Sequence, residues 1–126
     1  MSLRVTARAL EGAGGDSDFD ASAGFESWRK SVWGSGAVRA LGLHILPSLA
    51  TTDVRVSGQE LAALEGEVNV LRAGLRGVVD ALLEQGVQVV SNGDPYATVL
   101  ARLENIGEAV RRAREMANGG GEVVID

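Results

Sequence analysis

Along the chain, apolar and polar positions fall into two rhythms. In "SLRVTARA", residues 2 to 9, Leu3, Val5, Ala7 and Ala9 alternate with Arg4, Thr6 and Arg8. Successive strand side chains point to opposite faces, so this alternation predicts a half-buried strand. "DVRVS", residues 53 to 57, repeats the rhythm with Val54 and Val56 directed inward. After the glycines of "NGGGEVVID", residues 122 to 126 read as a last strand, and Val87 to Val90 as a further short candidate.

Elsewhere the step lengthens to three and four. Leu61, Leu64, Val68, Leu71, Leu75, Val78 and Leu82 form one stripe, and Tyr96, Val99, Leu103, Ile106, Val110, Ala113 and Ala117 a second. Each predicts a long helix with one apolar face. Ser57 and Glu60 have capping-box spacing before the first, and Gly86 can end it. Gly66, Gly74 and Gly77 weaken that helix by about 1 kcal/mol each relative to alanine. Asp94 and Pro95 suit the N-cap and first position of the second. Stripes of matching length joined by a short loop predict an antiparallel hairpin, although an intermolecular coiled coil would use the same pattern and make a homodimer.

Two short helices are expected between the first strands. Phe25, Trp28 and Val32 share one face of a helix that Gly34 can stop, with Trp33 off that stripe. Ser35 can cap a second carrying Val38, Leu41 and Ile45, which must stop near Leu46 because Pro47 follows. Residues 11 to 26, "EGAGGDSDFDASAGFE", hold four glycines and five acids without a base, and read as an exposed acidic loop. The expected fold is α+β: one domain over residues 1–126, with a small sheet of about three strands backed by the hairpin, in the order β-α-α-β-α-α-β.

Composition narrows the chemistry. The chain has 126 residues and no cysteine. Disulfides, thiolate catalysis and cysteine-ligated metals are therefore excluded. No signal peptide or apolar span is legible, so a soluble cytoplasmic protein off the membrane is expected. Seventeen acids against twelve bases give a formal net charge of −5. That balance disfavours nucleic acid and anionic lipid and favours a basic partner. Eleven of the twelve bases are arginine, the usage of a GC-rich bacterial genome.

Each motif that could carry chemistry also has a simpler reading. "GAGGDS" places Gly12 and Gly14 on a dinucleotide-binding fingerprint, but Ser17 stands at the third glycine and three aspartates would repel a pyrophosphate. Asp16, Asp18 and Asp20 occupy the first three ligand positions of an EF-hand loop, yet Ala21 replaces its turn glycine and Ser27 its bidentate glutamate. His44, the one histidine, reads as a buried structural residue in "LGLHIL", and no nucleophile is spaced for a triad. Glu65, Glu67, Glu104 and Glu108 read as a solvated helix face, with Glu108 pairing Arg111 or Arg112 and Arg111 pairing Glu115. No catalytic residue, metal or cofactor is expected.

What remains is "SWRKSVWGSGAV", residues 27 to 38, with both tryptophans and the single lysine. Trp28 suits a core position. Trp33, before Gly34 and near Arg29, is either an interface anchor or a corner of the core. With the acids just before it, the stretch gives a candidate partner-binding set: Asp16, Asp18, Asp20 and Glu26 to steer, Trp33 and Arg29 to anchor.

From Trp33 onward the chain resembles an uncharacterised family of small bacterial proteins. The likeness rests on Trp33-Gly34-Ser35, Leu41-Gly42-Leu43, Leu46-Pro47, Gly58-Gln59-Glu60-Leu61, "RLENI" at 102 to 106 and the glycine-rich end. It covers most of residues 25–126 and implies no activity. The expected function is a non-enzymatic protein-binding domain, an immunity-type inhibitor of a basic bacterial toxin. A small enzyme or ligand-binding module with a pocket between sheet and helices, and a structural homo-oligomer, are the alternatives.

Overall fold

A computed structural model describes residues 2–9, 17–89, 93–116 and 120–126. The fold is α+β. Its sheet has four antiparallel strands, β1 (Ser2–Ala9), β2 (Ser17–Phe25), β3 (Val54–Ser57) and β4 (Gly121–Ile125), in the spatial order β2-β1-β4-β3. The helices are the one-turn α1 (Gly36–Arg39), α2 (Gln59–Glu84) and α3 (Pro95–Glu115), with a π-helical turn at Arg29–Trp33 and a 3-10 turn at Leu46–Ala50.

The fourth strand corrects the expected acidic loop, whose second half is β2. Beneath its acids runs a period-two rhythm in which Phe19, Ala21 and Ala23 face the core side and Asp20 and Ser22 the other. Residues 10–16, the first part of that loop, lie outside the described residues, as do Val90 and Ala117. Val87 to Val89 form no strand. The Val87 amide instead donates to Leu82 O and the Gly86 amide to Leu83 O, the paired closure of a Schellman motif, which Gly86 permits with φ +80°.

One sheet face is apolar. Leu3, Val5, Ala7, Ala23, Val54, Val56, Val123 and Ile125 are buried there against α2 and α3. The described residues of both predicted stripes are buried except half-buried Tyr96. Arg72 on α2 pairs with Glu104 on α3 at 2.6 Å, and Arg114 with Glu65. Numbers rise along one helix as they fall along the other, so the hairpin is antiparallel. The starting cap differs from expectation: Ser57 is spent in β3, Gly58 takes the N-cap position, and no side chain caps α2. Asp94 caps α3 by accepting from the Tyr96 amide at 3.1 Å.

The opposite sheet face carries charge. Glu122 on β4 accepts from Arg8 on β1 at 2.7 Å and from Arg55 on β3 at 3.0 Å, and Arg4 pairs with Asp20 at 3.0 Å. These side chains bury the outward Glu122 and Val124, so all five β4 residues are buried. With both of its faces covered, β4 loses the alternation of burial that its neighbour β1 keeps.

The segment from Glu26 to Asp53 runs along one end of the sheet, from the β2 edge to the start of β3. Its core is Trp28, Val32, Trp33, Val38, Leu43, Leu46 and Leu49. The expected two short helices are replaced by three short turns. Phe25 ends β2 rather than starting a helix, and α1 stops at Arg39, well before Pro47, which starts the 3-10 turn instead of ending a helix.

Candidate functional site

The proposed anchor is a core residue. Trp33 is 0% exposed, and its indole N–H donates to Ala23 O on β2 at 2.9 Å. The backbone explains why it fell off the helical stripe. Gly34 N donates to Arg29 O, five residues back, so this turn is wound as a π-helix. Residues five apart then share a face, and Trp28 and Trp33 both turn inward, edge to face with ring centroids 5.9 Å apart. Gly24, at φ +107°, completes the packing, since a Cβ there would meet the Trp28 ring at 2.2 Å.

Arg29 is an internal clamp. Only 18% of its side chain is exposed. It pairs with Glu26 and Asp53 and donates to Leu49 O at 3.2 Å and Thr52 O at 3.0 Å. Burial alone would lower the guanidinium pKa, but its hydrogen bonds to Asp53 and Glu26, which accept, raise it above its ordinary value. Arg29 and Glu26 thereby tie the end of β2 to the start of β3. Asp20 is occupied by Arg4 across the sheet face. Asp18 is the extra residue at the register break between Ala7 and Arg8, and Asp16 lies outside the described residues. Of the described members of the set, Trp33 is therefore in the core, Glu26 and Arg29 pair with each other, and Asp20 pairs with Arg4.

His44 is likewise exposed on a loop rather than buried in a helix. Its amide and those of Ile45 and Leu46 converge on the Glu67 carboxylate of α2 at 2.9 to 3.1 Å. Three successive amides around one carboxylate make an anion nest filled by the protein's own side chain. Glu108 holds Arg111 and Arg112 and Arg111 holds Glu115, as expected for a solvated helix face, whereas Glu65 and Glu104 instead bridge the two long helices. Hydrogen bonds from Arg111 and then Arg112 pull the Glu108 carboxyl down to about 2. Among the described residues, no three His, Asp or Glu side chains gather to hold a metal ion.

The feature that sequence reasoning missed is backbone. β2 and β3 are the two edges of the sheet. At the β2 edge, Ser22 O accepts from Asn105 Nδ2 of α3 at 2.9 Å and Ala23 O from Trp33. At β3, among the described residues, no side chain and no strand or loop besides β4 hydrogen-bonds the backbone of Val54–Ser57. A shallow groove of about 300 Å³ runs along that edge, lined by His44, Ile45, Ser48, Asp53 to Val56 and Glu60. Glu67 builds the far wall by fixing residues 44–46. Glu60 is exposed and forms no salt bridge among the described residues, while Arg55 is held on the outer sheet face by Glu122. The alternating "DVRVS" marks a strand but carries no sign of whether it is an edge.

Compared with protein-family models, with curated proteins and with solved structures, the chain matches none. The motif residues that suggested a small bacterial family serve turns and packing: Trp33 and Leu46 are buried, Ser35 caps α1 and Gly58 starts α2. No helix of the described residues is long and apolar enough to cross a membrane.

Proposed function

We propose that this protein is a non-enzymatic protein-binding domain that engages a basic partner through the β3 edge and its groove. The observation that carries the reading is the backbone of Val54–Ser57, which among the described residues has no partner besides β4, beside Glu60, which forms no salt bridge with them. Unpaired strand groups are directional donors and acceptors that a second polypeptide can satisfy. The formal charge of −5 favours basic proteins at long range. In its specific form the reading is an immunity-type inhibitor that covers the active surface of a cognate bacterial toxin in the cytoplasm.

Capture from the native host at low salt, followed by titration of the purified pair with salt, tests it. The expected partner is basic, its association slows as salt rises past about 0.15 M, where the Debye length is about 8 Å, and any toxic activity falls at one equivalent of this protein. Capture of the protein alone, or an affinity indifferent to salt, overturns the reading.

A further inference from the structure

The groove carries more than a general affinity for protein. From the geometry of the β3 edge, and resting on the role proposed for it in binding a basic partner, we infer that its occupant is an extended, basic segment of that partner, which adds to the sheet as a fifth strand.

The open groups of Val54–Ser57 lie in the plane of the sheet and are spaced as a strand spaces them, so they match an extended chain and not a helix. Side chains of an added strand would alternate between two unlike environments. On the helix side they meet Ile45 and Glu60, at the first turn of α2. On the outer side they lie beside Arg55, already paired with Glu122. The fitting sequence is therefore basic at alternate positions, with neutral residues between. The β2 edge is less suited, because its register breaks twice and its Ser22 and Ala23 carbonyls are occupied, which interrupts the run an added strand would need.

A second copy of this chain is a poorer occupant. A two-fold antiparallel pairing of β3 with itself, centred between Arg55 and Val56, sets Asp53 of each copy opposite Gly58 and beside Glu60 of the other. Two clusters of like charge then meet between molecules that each carry −5.

The test uses the full chain and a capped hexapeptide alternating lysine and valine. Amide exchange and chemical shifts are read at residues 54–57. Saturating peptide is expected to slow exchange there at least about tenfold, on the scale of new strand hydrogen bonds. Only one of the peptide's two sets of alternate amides faces β3. N-methylation of that set should abolish binding while N-methylation of the other is tolerated. Glu60→Gln should weaken the lysine peptide several-fold and leave an alternating threonine and valine peptide unchanged. Equal binding by both N-methylated peptides would mean charge adsorption and overturn the inference, as would protection of 54–57 by dimerisation without peptide. A captured basic partner that leaves these amides unprotected defeats the fifth strand and the β3 edge as the site, but spares the reading of a domain that binds a basic protein. A protein that binds no basic partner defeats both.

Discussion

At the β2 edge the carbonyls of Ser22 and Ala23 accept from Asn105 and Trp33, whereas at the β3 edge no side chain of the described residues hydrogen-bonds the backbone of Val54–Ser57. The first edge is nine residues long with two register breaks; the second is four residues and regular. A long exposed edge invites unwanted pairing, and here it is interrupted by two bulges and, at Ser22 and Ala23, occupied by donors from two neighbouring elements. The short edge is left open, with a groove and a carboxylate beside it. The difference between the two edges is what makes β3 the surface on which the proposed partner would pair.

The largest expected effect comes from removing the closure at β2. Trp33→Ala deletes a fully buried ring and the donor to Ala23 O, and should cost roughly 3–5 kcal/mol in urea unfolding. Trp33→Phe keeps much of the ring and should cost about 1–3 kcal/mol, chiefly through the orphaned carbonyl. In the Phe variant, amide exchange should quicken along β2 and stay unchanged at β3. Equal quickening at both edges would mean that Trp33 acts on the whole fold and not on that edge.

Next is the wall of the open groove. Glu67→Gln gives up the carboxylate that receives three amides, and should cost roughly 2 kcal/mol because hydrogen bonds to a charged group are the stronger kind. Exchange should quicken at Ile45 and Leu46 while β2 is untouched. A variant as stable as the parent would show that the nest does not hold residues 44–46.

Much of the α+β frame is legible in the residues. The leucine and valine stripes of α2 and α3 are read correctly because burial of one helix face imposes a period that few other structures share. β1, β3 and β4 follow from their valines. β2 was hidden because its inward positions are Phe19, Ala21 and Ala23, two of them small, among acids and glycines that also suit a loop. Trp33 was misplaced because the stripe assumed 3.6 residues per turn where the chain winds a π-turn. The candidate site was the least legible part. Which strand is an edge depends on β4 inserting between β1 and β3, a pairing that local sequence does not encode, and a backbone edge has no residue signature at all.

A smaller perturbation isolates one contact at the closed edge. Asn105→Ala removes the donor to Ser22 O without disturbing the core, and should cost about 1 kcal/mol. Exchange near Ser22 should quicken, and the alternating lysine and valine peptide should gain weak contacts along β2. Should the peptide still protect β3 alone, the two bulges suffice to close the β2 edge.

The smallest effect is a pH dependence at the same edge. Arg112 lies over the Phe19 ring of β2, 4.9 Å from its centroid, and donates to Glu108 at 2.8 Å. The Glu108 carboxyl, ordinarily near 4.5, is lowered to about 2 by its hydrogen bonds from Arg111 and Arg112. A carboxylate with a lowered folded value stabilises fully above its unfolded value, and the contribution fades as pH falls from about 4.5 toward 2. A third of the side chain is open to solvent, which screens the pair and keeps the slope shallow. Within that window the β2 amides facing Phe19 should lose protection before those of β3, and Glu108→Gln should flatten the difference. If the parent and the Gln variant show the same acid profile, the Glu108–Arg112 pair does not help to hold α3 on the closed edge.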